Sequence, residues 1–225
     1  MIKQLVFDLP VAEGYARADF FTSPATAQAL AAIDEWRDWP DGKMLLIGPK
    51  GAGKTHLARI WADMAGAVIV PGADLAGVDV PGLAAMSAVC VENAEAIAGN
   101  PAAETALFHL HNMVLPAGRL LITAATPPRD WGLTLADLQS RLQAAAVALV
   151  PSPDDALLSA VLVKLFADRQ IAVPPNLIAY LVSRIERSIA SARSVVAELD
   201  AAALTQRRPV TRALAAELLD RADQG

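Results

Sequence analysis

The chain has almost no cysteine, few aromatic side chains, few histidines, and no long run of like charge or of apolar residues. Its single cysteine, Cys90, excludes a disulfide within the chain, and a reducing cytoplasm is the expected setting. Cys90 stands in the apolar run SAVCVEN, which reads as a buried structural thiol and not as a nucleophile. Aromatic residues make up 5% of the chain, and Trp36, Trp39, Trp61 and Trp131 are too widely spread to form a stacking platform for bases. Of the three histidines, His109 and His111 point to different sides of a helical stretch and His56 follows a glycine-rich loop, so no histidine metal centre is expected. No lysine or arginine run offsets the formal net charge of −5, so no direct specific DNA binding is expected. No apolar segment approaches the roughly 18 residues of a membrane span. The start of the chain, where Lys3 is followed by Asp8, Pro10 and Glu13, does not read as a signal peptide.

What is present is an apolar content of 54% in 225 residues, enough for one sizeable core or a core with a small appended domain. The stretch KMLLIGPKGAGKTHLARIWADMAGAVIV reads as strand, loop, helix and strand. Further strands are expected at 87–93 and 119–126, separated by a helix around 104–115. Strands alternating with helices predict an α/β fold, a parallel sheet covered on both faces. After Pro151 the helical period continues with no strand, which predicts a separate small all-helical domain over 151–225. Ser152 or Asp154 is the expected cap of its first helix and Thr211 of its last.

The segment GPKGAGKT matches the phosphate-loop pattern G-x-x-x-x-G-K-[ST] and lies between a predicted strand and a predicted helix. Gly48, Gly51 and Gly53 let the backbone turn its N–H groups toward phosphate oxygens, with Pro49, Lys50 and Ala52 completing the loop. Lys54 is expected on the β and γ phosphates, Thr55 on Mg²⁺, and His56 near the nucleotide, ADP or ATP. Glu92 and Asn93 end the strand where such enzymes place their acidic pair, Glu92 holding the metal through water. Asn93 is neutral and cannot serve as a base, so intrinsic ATP hydrolysis is expected to be weak. The opening stretch QLVFDL, with Gln4, Leu5, Phe7 and Leu9, admits two readings, an edge strand or an interaction peptide.

With the loop in place, ADFFTSPATAQAL, GPKGAGKTHLARIWAD, LADLQSRL and RRPVTRALAAELL resemble, in this order, segments of the replication initiator ATPase DnaA, an AAA+ protein. VCVENAEAIAG and LLITAATPPRDWGLTLADLQSRL resemble the Hda family of DnaA-related regulators. That resemblance implies a clamp-binding peptide over 1–12, an AAA+ core over 13–150 and a helical lid over 151–225. It implies that Gln4, Leu5, Phe7 and Leu9 bind the sliding clamp, the β subunit of DNA polymerase III. It further implies that Arg141 in QSRL is an arginine finger acting in trans on ATP bound to DnaA, and that Arg193 is the lid arginine that senses phosphate. Arg184 and Arg187 lie near enough to leave the register of that lid arginine open. The implied role is negative control of replication initiation in the cytoplasm, with a homo-oligomer possible. A helicase loader and a small phosphate-loop kinase are the alternatives. Ala124, Ala125 and Thr126 stand where an acidic sensor is expected after Thr123, which again points to weak intrinsic hydrolysis.

Overall fold

The computed structural model describes Arg17 and residues 20–222. The first helix, α1 (Pro24–Asp34), begins where chemistry favours it. Ser23 and Thr26 form a reciprocal capping box, and Pro24 stands at the first turn, where its missing N–H costs nothing. Five strands follow, β1 (Lys43–Ile47), β2 (Val68–Pro71), β3 (Ala88–Glu92), β4 (Arg119–Ala124) and β5 (Ala146–Leu149). They form one parallel sheet in the order β2-β3-β4-β1-β5. Between them run α2 (Lys54–Ala65), the short α3 (Val80–Ala84), α4 (Pro101–Val114) and α5 (Ala136–Gln143).

Strand side chains alternate between the two faces, and each face builds its own core. Leu45, Val89, Val91, Leu120 and Ile122 point to the side of α4 and α5. Met44, Leu46, Ala88, Cys90 and Leu121 point to the other, against Leu57, Ile60 and Trp61 of α2 and Ala29 and Ile33 of α1. Trp39 stacks on Trp61 with ring centroids 5.3 Å apart, and its indole N–H donates to the Ala32 carbonyl at 2.7 Å. Burial pushes the Cys90 thiol well up from its ordinary pKa, so it stays protonated inside this second core.

The strand β5 is not among those expected from the sequence. Its Ala146 and Ala148 have weak strand preference, and Val147 and Leu149 on the edge remain 50% and 66% exposed, so nothing in the pattern marks a buried strand. Beyond it, α6 (Asp155–Asp168), α7 (Pro175–Arg184), α8 (Ile189–Gln206) and α9 (Arg212–Ala222) enclose a third cluster that includes Leu158, Leu162, Phe166, Leu177, Leu181, Val196 and Leu199. Asp154 caps α6 by accepting from Leu157 N–H at 2.7 Å, and Thr211 accepts from Leu214 N–H at 3.3 Å at the start of α9. Among the described residues no helix is long and apolar enough to cross a membrane.

Candidate functional site

The loop 48–53 leaves the C-terminal end of β1 and enters α2 directly. Gly51 and Gly53 have φ of +76° and +106°, the left-handed region that glycine enters without steric cost. Gly48 is required for space, because a Cβ there would lie 1.9 Å from the Val150 carbonyl oxygen. No side chain caps α2, so its first amide donors stay available to an anion in front of the helix. Lys54, the first residue of α2, is 7% exposed, and its Nζ donates to the Gly48 and Pro49 carbonyls at 2.6 and 3.0 Å. Burial lowers the pKa of this ammonium, and the carboxylates of Glu95 and Glu92 oppose that shift.

In front of the loop lies a cleft of about 1270 Å³. Lys50, Gly51, Ala52, Gly53, Lys54, Thr55 and His56 form one wall, with Phe20, Phe21 and Thr26 beside them. Opposite stand Leu157, Val161, Lys164 and Leu165 of α6, and Ile189, Arg193 and Ser194 of α8. Asn93, Glu95 and Ala125 also line it. Phe20 packs on the sheet-side core and edge-on against His56 at 5.2 Å, while its neighbour Phe21 joins the helical cluster, so two adjacent rings link the two bodies. The lid side also touches the loop through its backbone, where Ile189 N–H donates to the Gly51 carbonyl at 2.8 Å.

Of Arg184, Arg187 and Arg193, the last lines this cleft, as does Arg169 just after α6. Arg184 instead donates to Asp220 at 3.0 Å and lies over the Tyr180 ring, and Arg187 pairs with Asp155 at 2.9 Å. The acidic end of β3 is arranged differently from the sequence expectation. Asn93 lines the cleft, but the lining carboxylate beside it is Glu95 and not Glu92. Asn93 takes a left-handed conformation, φ +50°, which asparagine tolerates, and the short turn Ala94–Ile97 brings Glu95 back to the cleft. Glu95 Oε1 accepts from Ala125 N–H at 2.9 Å, and Thr123 Oγ1 accepts from Asn93 N–H at 3.0 Å, tying the ends of β3 and β4 together. Glu92 Oε1 and Glu95 Oε2 are buried without a hydrogen-bond partner among the described residues.

Sequence reasoning assigned no role to Glu95, Phe20, Phe21 or the apolar side chains of α6. A second acid, three residues after Glu92, was the one visible sign of Glu95. Among the described residues no cluster of histidine, cysteine and carboxylate side chains is placed to hold a metal on its own. The cleft nevertheless fits a magnesium nucleotide. It offers glycine amides and Lys54 for phosphates, the Thr55 hydroxyl and the Glu95 carboxylate for a hydrated cation, and an apolar wall for a base. Gln4, Leu5, Phe7 and Leu9 lie outside the described residues.

Arg141 stands elsewhere. It is exposed in the last turn of α5, near Lys43 at the start of β1, and its guanidinium lies over the Phe108 ring, 5.2 Å from the centroid. The phosphate loop leaves the other end of β1, four residue steps or about 13 Å further along. The start of α5 is fixed by Glu104 on α4, a carboxylate 1% exposed. Its Oε2 accepts from Thr134 N–H, Thr134 Oγ1 and Leu135 N–H at 2.8 to 2.9 Å. Burial works to raise the pKa of Glu104, but the hydrogen bonds from Leu135 and Thr134 outweigh it and hold the carboxyl below its ordinary range. A carboxyl with a depressed folded-state pKa contributes stability above its unfolded pKa, about 4.3, and that contribution fades as pH falls through the folded value. Glu104→Gln is therefore expected to lower unfolding stability by about 1–3 kcal/mol at pH 7 and to flatten its acid limb. Urea denaturation at several pH values measures both; parallel curves for the two proteins would contradict the assignment.

No known protein-family profile matches the chain. Among solved structures it is similar to domain III of the replication initiation protein DnaA of Thermotoga maritima. That match has a TM-score of 0.80 at 17% sequence identity and covers 95% of this chain and 98% of that one. It is also similar to AMPPCP-bound DnaA of Aquifex aeolicus, with a TM-score of 0.70 at 15% identity over 83% of this chain and 65% of that one. The FIGL-1 AAA domain in complex with ADP gives a TM-score of 0.65 at 17% identity, over 88% and 79%. A five-stranded parallel sheet in the order β2-β3-β4-β1-β5, flanked by helices and followed by a helical cluster, gives the chain the AAA+ fold in the form seen in DnaA domain III.

Proposed function

We propose that this protein is a negative regulator of replication initiation of the Hda type. It holds an adenine nucleotide, docks on the sliding clamp through Gln4, Leu5, Phe7 and Leu9, and stimulates hydrolysis of ATP bound to DnaA by presenting Arg141 in trans. The observation that carries this reading is the position of Arg141. An exposed guanidinium at the opposite end of β1 from the protein's own phosphate loop is in no place to serve that loop, and is in a place to meet another subunit. On a neighbouring triphosphate it stabilises charge building on the transferred phosphoryl group, a contribution of about 10³–10⁵ in rate.

For the resident nucleotide, the loop amides, Lys54 and Arg193 hold the phosphates. Thr55, with Glu92 or Glu95, holds the water shell of Mg²⁺, and Phe20, Phe21, Leu157, Val161 and Ile189 cover the base and ribose. A bound nucleotide would supply the negative charge that the buried Lys54 ammonium and the cleft-lining Arg193 would offset. Two of the structurally similar proteins carry AMPPCP and ADP, which supports a nucleotide in this cleft. Asn93 and Ala125, both neutral where acidic groups are expected, support slow hydrolysis of the protein's own ATP.

Leu5, Phe7 and Leu9 supply three large apolar side chains for a groove on the clamp, and Gln4 supplies a polar contact at its edge. The intact chain is expected to be retained on immobilised sliding clamp, and a Gln4→Ala, Leu5→Ala variant to be lost from it by at least 10-fold. Equal retention of the two proteins would remove the clamp from the reading. Stimulated hydrolysis of DnaA-bound ATP tests the remainder.

A further inference from the structure

One face of α4 controls both ends of α5. Glu104, Phe108 and His111 stand at i, i+4 and i+7 on α4 and so share a side of that helix. Glu104 collects three donors at the start of α5, while Phe108 lies beneath the guanidinium of Arg141 at its end. Beyond Phe108, His111 is 4% exposed and its Nε2 is 3.4 Å from Nζ of the equally buried Lys43. The ammonium has no lone pair, so Nε2 is the acceptor, and Nδ1–H donates to Asn112 Oδ1 at 3.4 Å. Arg141 is near enough for its charge to act against the charged forms of both Lys43 and His111.

Arg141 therefore has the Phe108 ring against its guanidinium, with the like charge of Lys43 in its neighbourhood. A cation over a ring face is held there without using its N–H donors in hydrogen bonds, and those donors match phosphate oxygens. We propose that Phe108 is a positioning residue, which presets Arg141 for the terminal phosphate of a nucleoside triphosphate carried by another AAA+ subunit; this rests on the trans role of Arg141 argued above. In the step served, a water oxygen bonds to the terminal phosphorus and the bond from phosphorus to the bridging oxygen breaks. ADP leaves with that electron pair, one water proton stays on the new P–OH, and the other passes to a phosphate oxygen.

The test uses the full chain and single-turnover hydrolysis of ATP pre-bound to DnaA, in the presence of clamp-loaded DNA. Phe108→Leu keeps an apolar side chain of similar bulk but removes the π face. It is expected to lower the maximal rate about 10-fold, the scale of loss that follows small misplacement of a reacting group. The concentration giving half the maximal effect should not change, and Phe108→Trp should restore the rate. In an Arg141→Ala background, Phe108→Leu should have no further effect. Three results would overturn the inference: a wild-type rate for Phe108→Leu while Arg141→Ala abolishes stimulation, a shift only in the half-maximal concentration, or an undiminished effect without Arg141. If Arg141→Ala itself leaves stimulation unchanged, the trans role fails, and the positioning role fails with it.

Discussion

Arg141→Ala is expected to reduce stimulated hydrolysis of DnaA-bound ATP by about 10³-fold or more, while binding of nucleotide and of clamp stays at the wild-type level. The size of the effect follows from where charge appears. Phosphoryl transfer spreads negative charge over equatorial oxygens, and a guanidinium placed there acts in a site that has lost most of its water, where the interaction is worth far more than at a free surface. The selectivity of the effect follows from the fold. Arg141 is exposed, packs on Phe108 and lies apart from the cleft beside the phosphate loop, so its removal disturbs neither the core nor that cleft. Arg141→Lys keeps the charge but loses the planar fork and its stacking on Phe108, and is expected to recover only a small part of the rate. A fall in clamp retention or in ADP affinity for Arg141→Ala would show that the residue acts on the fold instead.

The second large effect concerns Lys54. Lys54→Ala is expected to weaken ADP binding by more than about 100-fold, since charge-assisted hydrogen bonds to phosphate contribute about 3 kcal/mol and leave no substitute donor in the loop. The thermal consequence is equally specific. Ligand at a hundred times its dissociation constant stabilises a protein by about 2.7 kcal/mol, so ADP should raise the melting temperature of the wild type and leave that of Lys54→Ala unmoved. Because burial already lowers the pKa of Lys54, its charge is lost at a lower pH than that of an ordinary lysine, and ADP affinity should weaken correspondingly early on the alkaline side. Calorimetric titration of both proteins measures these differences; a variant that binds ADP as the wild type does would place the phosphates elsewhere.

The parts of this molecule that are legible in its sequence are those where one residue type is the only physical solution. Gly48, Gly51 and Gly53 are read directly, because positive φ and a carbonyl within 2 Å of any Cβ leave no alternative. The strands β1, β3 and β4 are read from continuous apolar runs, since burial on both faces demands them. Asp154 and Thr211 are read as caps because short oxygen side chains suit that place. Other parts depend on tertiary geometry that no local pattern carries. The edge strand β5 is alanine-rich and half exposed, and is defined only by pairing with β1. Glu95 enters the cleft because Asn93 turns left-handed, a choice invisible in the letters VENAE. The lid register among Arg184, Arg187 and Arg193 depends on tertiary partners, since Arg184 at the end of α7 pairs with Asp220 and Arg187 in the loop after it pairs with Asp155. Phe108 and Arg141 are far apart in sequence and meet only because Glu104 fixes the start of α5.

The most direct measurement loads DnaA with radiolabelled ATP, adds this protein in its ADP-bound form, and follows release of labelled phosphate with and without clamp-loaded DNA. The account predicts rapid conversion of the DnaA-bound label only when this protein and the DNA-loaded clamp are both present. Label that persists on DnaA at the same rate with or without this protein would contradict it.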